Sequence, residues 1–281
     1  MKGQVVKVIS ENFYVDLGCE VIICKQRGKL KNLKTLPLVG DYVLIDREKF
    51  VIEEILPRKN MIIRPNVSNI TMGFIITSFK NPDFGTNLLD KLLVQLEINK
   101  IKPVICLTKK DLISDLEFSN YLDILNYYQE LGYKVVYNYE LSEIKNLLEN
   151  NTTVFIGQTG AGKSTLLNKL FQDLNLKTGE VSLALGRGRH TTRHVEIIKI
   201  DNIRVLDTPG FSALSFLNYE ETDVRDAFIE FLKYPCMYQD CMHIKEDECK
   251  VKEAVNKKQI LLSRYQNYLN FIEEFKNKKR W

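Results

Sequence analysis

The chain has 281 residues, 44% apolar and 27% charged, with a formal net charge of +4. These values fit a soluble globular protein of two or three small domains with ordinary cores. No stretch reaches the roughly eighteen continuous apolar residues of a transmembrane helix, so no membrane partner is expected.

The start, MKGQVVKVIS, alternates like a strand and lacks the apolar core of a signal peptide. Export is therefore not expected, and the cytoplasm is. VVKVI, NFYVDL, EVIIC, DYVLI and FVIEEI read as short strands separated by charged or turn-prone pieces such as RGKLKN and LVGD. That spacing predicts a small β-barrel or sandwich over residues 1–66, with the OB-fold as the natural candidate. PRKNMIIRPNVSN, with two prolines and several asparagines, reads as a linker.

From Ile70 to about Leu217 apolar runs (ITMGFIIT, PVICLT, YKVVY, TTVFI, VEIIKI, IRVLD) alternate with helical stretches such as LLDKLLVQLEINK. Such alternation predicts a mostly parallel sheet covered by helices, an α/β domain over residues 67–218. Residues 219–281 read as mostly helical. There Ile260, Leu261, Tyr265, Tyr268, Leu269 and Ile272 recur at helical spacing and are expected in a core.

Several elements carry chemistry. GQTGAGKST matches the phosphate-loop pattern G-x-x-x-x-G-K-[ST] between a strand and a helical run. The segment comprises Gly157, Gln158, Thr159, Gly160, Ala161, Gly162, Lys163, Ser164 and Thr165. Its glycines let backbone N–H groups turn inward around phosphates. Lys163 is placed for the β and γ phosphates, and the Ser164 hydroxyl for Mg²⁺. The helix start adds its positive end.

DTPG follows a strand, so the Asp207 carboxylate suits Mg²⁺ and the Gly210 N–H suits a γ-phosphate. Between them, ALGRGRHTTRHV reads as a switch loop in which Thr191 or Thr192 reaches Mg²⁺, with Thr192 taken as the ligand. VICLTKKDL ends in Thr108, Lys109, Lys110 and Asp111, a form of the guanine-reading [NT]KxD element. The Asp111 carboxylate can accept from both N1–H and the 2-amino group of guanine. Lys109 can lay its stem on the base, and Thr108 can hydrogen-bond nearby groups. This element normally follows the phosphate loop; here it precedes it. A circular permutation explains the order, because joined termini and a new cut preserve the packed core.

The last element is Cys236, Cys241, His243 and Cys249. Three thiolates and one imidazole complete a closed tetrahedral shell for one structural Zn²⁺. Cys19, Cys24 and Cys106 lie in apolar runs and are expected to be buried packing residues. Basic residues cluster at Lys25, Arg27, Lys29, Lys31 and Lys34, at Arg187, Arg189 and Arg193, and in the tail KNKKRW. Such clusters suit a polyanion such as RNA.

Taken together, RGKL, VGD, TKKD, GQTGAGKST, GRGRHTTRHV, DTPG and C-x4-C-x-H-x5-C resemble the RsgA (YjeQ/YloQ) family over essentially the full length. The resemblance implies an OB domain, a circularly permuted GTPase domain and a C-terminal zinc domain. It also implies GTP hydrolysis to GDP, coupled to late maturation of the 30S ribosomal subunit, by a protein expected to be a monomer.

Two departures stand out. The Ser-Ala element that contacts the base in other GTPases is absent from YKVVYNYE, and Phe211 follows DTPG where many GTPases carry a water-orienting glutamine. By resemblance His190 takes that role, since an imidazole can hydrogen-bond a water. A nucleotide-regulated rRNA-binding module, or a translation factor acting on mature ribosomes, are the competing expectations.

Overall fold

The computed structural model describes residues 1–28, 36–63, 66–173, 195–200, 202–207, 216 and 219–278. The chain packs as two compact units. The first comprises Met1–Phe74, Glu140–Phe155 and Lys163–Ala213; the second comprises Ile75–Tyr139, Ile156–Gly162 and Leu214–Trp281.

In the first unit the five expected strands form: β1 (Lys2–Ile9), β2 (Asn12–Asp16), β3 (Val21–Gln26), β4 (Tyr42–Asp46) and β5 (Val51–Ile55). β1 pairs with both β2 and β4, β2 with β3, β3 with β5, and β5 with β4, which closes a barrel. Alternation explains it, because β2 and β4 each bury every second residue. Val5, Phe13, Val15, Cys24, Val43, Ile45 and Ile52 fill the interior.

Two expectations need correction. The presumed linker contains an antiparallel pair, β6 (Met61–Ile63) and β7 (Asn66–Ser68). It is fastened to the barrel by the buried Asp41 of VGD, which accepts hydrogen bonds from Arg58 at 2.8 Å and Ser68 at 2.6 Å. Gly40 is required there: a Cβ would stand 2.0 Å from the Ser68 carbonyl oxygen. Cys24 and Cys106 are buried as expected, but Cys19 is exposed, because it lies on the turn between β2 and β3.

The same unit carries β12 (Glu196–Ile200) and β13 (Ile203–Asp207), an antiparallel pair, and β13 runs parallel to β11 (Thr152–Gly157). β12 meets β1 at Lys7 opposite Glu196, where the two side chains form a 2.7 Å ion pair.

The second unit holds most of β8 (Met72–Ser78), then α1 (Thr86–Ile98), β9 (Lys102–Thr108), α2 (Asp115–Glu130) and β10 (Lys134–Tyr137). β9 and β10 are parallel, with Tyr137 opposite Leu107. A capping box starts α2: Ser114 accepts from the Glu117 N–H, and Glu117 accepts from the Ser114 N–H.

The C-terminal part contributes α5 (Glu221–Asp226), α6 (Lys250–Asn256) and α7 (Leu262–Lys278), with α3 (Leu141–Leu148) and α4 (Lys163–Asp173) assigned to the first unit. Most of the stripe packs as its spacing predicts: Tyr268 and Ile272 of α7 and Ile260 just before it are buried, with Tyr265 and Leu269 packed against the same core as Val94 of α1, whereas Leu261 is only half-buried.

A wholly buried charge cluster joins α1 to α7. Arg264 donates to Asp90 at 2.7 Å and grips both oxygens of Glu230 at 2.6 and 2.8 Å. Tyr128 and Asn267 each donate to Asp90 at 2.6 Å. Burial pushes the Asp90 carboxyl above its ordinary value, and the Arg264 charge opposes that rise. Such a cluster is costly to break, because removing one partner leaves a charge unpaired in a medium of low polarity.

Candidate nucleotide site and metal centre

Strand β11 ends at Gly157, and the backbone then turns through left-handed conformations at Gly160 (φ +82°) and Gly162 (φ +100°). Gly157 itself has φ +141°, and a Cβ there would lie 2.1 Å from the Ile76 carbonyl oxygen of β8. No other residue fits that approach. Gln158, Thr159 and Gly160 are exposed, and the Ala161 N–H donates back to the Gln158 carbonyl at 3.2 Å. α4 begins at Lys163 immediately after the loop, with Ser164 and Thr165 exposed on its first turn. Burial holds the Lys163 ammonium below its ordinary pKa. An anion there would favour the charged form.

TKKD leaves the end of β9. Buried Thr108 donates its hydroxyl to the Ala161 carbonyl of the phosphate loop at 2.6 Å. One side chain therefore ties the base-reading element to the loop, although 53 residues separate them. Lys109 adopts a left-handed conformation (φ +58°), and its ammonium donates to the Asn81 carbonyl. Asp111 is exposed on a short 3-10 turn, Lys110–Leu112. The Lys110 ammonium sits 4.1 Å from the centre of the Phe118 ring.

β13 ends at Asp207, whose backbone lies opposite Glu196; its side chain lies outside the described residues. So do Lys29, Lys31, Arg187, Arg189, His190, Thr191, Thr192, Arg193, Gly210 and Phe211. Of the expected RNA contacts, Arg27 is described: it makes an exposed 2.9 Å ion pair with Glu53. A pair of that kind contributes little and can exchange for a phosphate.

Cys236, Cys241, His243 and Cys249 come together, their ligand atoms all within 4.8 Å of one another. His243 Nδ1 lies 3.5 Å from Cys236 Sγ and 3.3 Å from both Cys241 and Cys249 Sγ; Cys236 and Cys249 Sγ are 3.8 Å apart. A tetrahedral zinc shell, with Zn–S about 2.3 Å and Zn–N about 2.0 Å, spaces neighbouring donors about 3.5–3.8 Å apart. The cluster fits a metal ion of that kind.

Burial raises the Cys241 and Cys249 thiols and lowers the His243 imidazole, which Arg225 lowers further. Neutral imidazole is the ligand form. Glu246, which sequence reading passed over, folds the ligand loop by accepting from the Met242 and Ile244 N–H groups at 2.9 and 2.8 Å. Tyr265 of α7 donates to the His243 carbonyl at 2.7 Å. Only the position of Glu246 inside the C-x-H-x5-C stretch could have signalled its role.

A phosphate loop and a [NT]KxD element in reversed chain order, bonded to each other at the ends of β-strands, define a circularly permuted P-loop GTPase. The comparisons agree. A family model described as RsgA GTPase matches residues 55–217, and one described as RsgA N-terminal domain matches residues 2–50. The chain belongs to the RsgA GTPase family.

The small ribosomal subunit biogenesis GTPase RsgA of Enterococcus faecalis is 42% identical over 287 residues, covering 99% of this chain and 97% of that protein. Its counterpart in Clostridium botulinum strain Okra is 39% identical over 295 residues and covers both chains fully. The crystal structure of YloQ, a circularly permuted GTPase, superimposes with a TM-score of 0.82 at 35% identity, covering 99% of this chain and 95% of that one. YjeQ from Thermotoga maritima gives 0.84 at 32% identity, covering 97% of each. No helix among the described residues is long and apolar enough to cross a membrane.

Proposed function

We propose that this GTPase binds the small ribosomal subunit and hydrolyses GTP to drive late subunit maturation and its own release, acting as a cytoplasmic monomer. The observation that carries the reading is the 2.6 Å hydrogen bond from Thr108 to Ala161, which lets base-reading and phosphate-binding residues serve one nucleotide. Residues 1–66, 67–218 and 219–281 act as the RNA-facing barrel, the GTPase domain and the metal-stabilised domain.

In this scheme Asp111 accepts from guanine N1–H and the 2-amino group while Lys109 covers the base. Backbone amides from Gln158 to Gly162 hold the phosphates, Lys163 neutralises the β and γ oxygens, and the Gly210 N–H meets the γ-phosphate. Ser164, Thr192 and Asp207 would supply hard-oxygen donors of the kind that suits Mg²⁺. Mg²⁺ held there would neutralise charge that develops on the β- and γ-phosphates. Cys236, Cys241, His243 and Cys249 hold one Zn²⁺, which contributes folding energy and no chemistry.

Phe211 cannot orient water, so the free protein hydrolyses GTP slowly. Subunit RNA meeting Arg187, Arg189 and Arg193 orders the switch segment and brings His190 to the attacking water. Partners that complete a GTPase site raise rates roughly 10³- to 10⁵-fold.

Turnover measured with and without purified 30S subunits tests the proposal. A large stimulation is expected, lost in His190→Ala with GTP binding retained. No stimulation by 30S subunits would overturn the coupling. Stimulation that survives His190→Ala would move the water-orienting role elsewhere. Arg27, Lys29 and Lys31 contact phosphates in this reading, so subunit affinity should fall steeply with salt.

A further inference from the structure

The turn after β10 lacks the Ser-Ala element of other GTPases, and an aromatic surface stands there instead. β10 runs parallel to β9, and the Asn138 N–H donates to the Leu107 carbonyl at 2.9 Å. The residues following the two strands, Asn138–Tyr139 and Lys109–Asp111, therefore emerge side by side from one edge of the sheet.

Tyr139 is 58% exposed, and its ring lies nearly parallel (12°) on Tyr137, with centroids 5.4 Å apart. Tyr137 leans toward Phe118 at 6.4 Å, and the Lys110 ammonium sits 4.1 Å from the Phe118 centroid and 5.8 Å from that of Tyr137. The second lysine of TKKD thus braces the rings by cation–π attraction and is drawn away from any base. Tyr139 is left as an aromatic group stacked on its inner side and accessible to solvent, beside the segment that reads guanine. Nucleobases stack on such rings whatever their hydrogen-bonding edge, because every base has a π face.

We propose that Tyr139, backed by Tyr137, is the purine-stacking wall of the nucleotide site. The proposal rests on the reading of Asp111 as guanine reader, and it divides the work between the two residues. Asp111 selects the base by hydrogen bonds; Tyr139 positions any purine and adds affinity without selecting.

The test is equilibrium titration of GDP and inosine diphosphate against the parent protein, Tyr139→Ala and Tyr139→Phe, with Asp111→Asn titrated against GDP and xanthosine diphosphate. Tyr139→Ala should weaken GDP and inosine diphosphate alike, by about tenfold. Tyr139→Phe keeps the ring and should bind as the parent does. Asp111→Asn should weaken GDP while favouring xanthosine diphosphate.

Parental affinity of Tyr139→Ala for both purines, with Asp111→Asn still changing base preference, would overturn the stacking wall and leave the guanine reading intact. A loss confined to GDP in Tyr139→Ala would also overturn it, since stacking does not distinguish guanine from hypoxanthine. A silent Asp111→Asn would overturn the guanine reading and this proposal together.

Discussion

At the Cys/His cluster every prospective ligand atom belongs to a side chain, and those atoms already stand within 4.8 Å of one another. At the phosphate loop the groups that would meet a ligand are backbone amides and exposed side chains, Gln158, Thr159 and Asp111 among them. The first arrangement has no open position and is knit into the apolar core through Cys241 and Cys249. The second leaves its surface to water and buries its supports, Thr108, Gly157 and Ala161. A site that must keep its ligand is built from buried side chains. A site that must exchange it is built from main chain held in place from behind.

The largest expected effect tests the closed end. Cys249 is a prospective ligand and also accepts from the Lys252 N–H at the start of α6. Cys249→Ser should lose the metal and loosen the loop from Cys236 to Cys249, since zinc in small metal domains supplies about 10–16 kcal/mol of apparent binding energy. Elemental analysis and thermal unfolding report this. Nucleotide binding should survive, because Thr108 and Gly157 support the loop independently. Zinc absent from the parent protein would sink the assignment.

Next comes the buried charge cluster. Arg264→Met should cost about 3–5 kcal/mol in denaturant unfolding, since Asp90 and Glu230 are then buried without a cation. The sign of the pH dependence follows from Asp90, whose pKa burial already raises. With the folded-state pKa above the unfolded one, the folded protein binds more protons, so stability is lost as pH rises through the folded value. The deficit of Arg264→Met should therefore narrow in mild acid and widen toward neutral pH. A deficit that grows in acid would show that Asp90 is not the exposed cost.

Asp111→Asn sharpens the open end: GTP should weaken by about 2–3 kcal/mol, the worth of hydrogen bonds to a charged acceptor. Xanthosine nucleotide should bind this variant better than GTP does, as competition titrations would reveal. The smallest effect belongs to the support behind the loop. Thr108→Val removes the hydroxyl that reaches Ala161 and should cost about 1 kcal/mol of nucleotide affinity. Metal content should not change. Unaltered affinity would mean that Gly157 and its neighbours hold the loop unaided.

How much of this was legible in sequence depended on whether the chemistry lay in one contiguous run. GQTGAGKST, TKKD and the Cys/His spacing each place their functional groups within a few residues, so local pattern was enough. The barrel strands were legible from alternation. The β6–β7 pair was not, because each strand is three residues long and the surrounding sequence is rich in proline and asparagine, which dominated the signal. Asp90, Glu230 and Arg264 share no local sequence pattern. Only packing brings them together, since 174 residues separate Asp90 from Arg264. Cys19 was misplaced because an apolar neighbourhood in sequence does not say which side of a turn faces water.

That long separation governs the order in which the molecule can be completed during synthesis. α1, with Asp90 in its middle, is made early, yet the cation that neutralises this buried acid arrives on α7, the last helix described. A nascent chain, or one cut short before residue 264, would have to bury Asp90 against Tyr128 with no counter-charge. It does better to leave α1 loosely packed. α1 and β8 are joined by a short connection, and β8 is the strand against which Gly157 is seated. Unfinished chains are thus expected to seat the phosphate loop less firmly than chains in which α7 has been made.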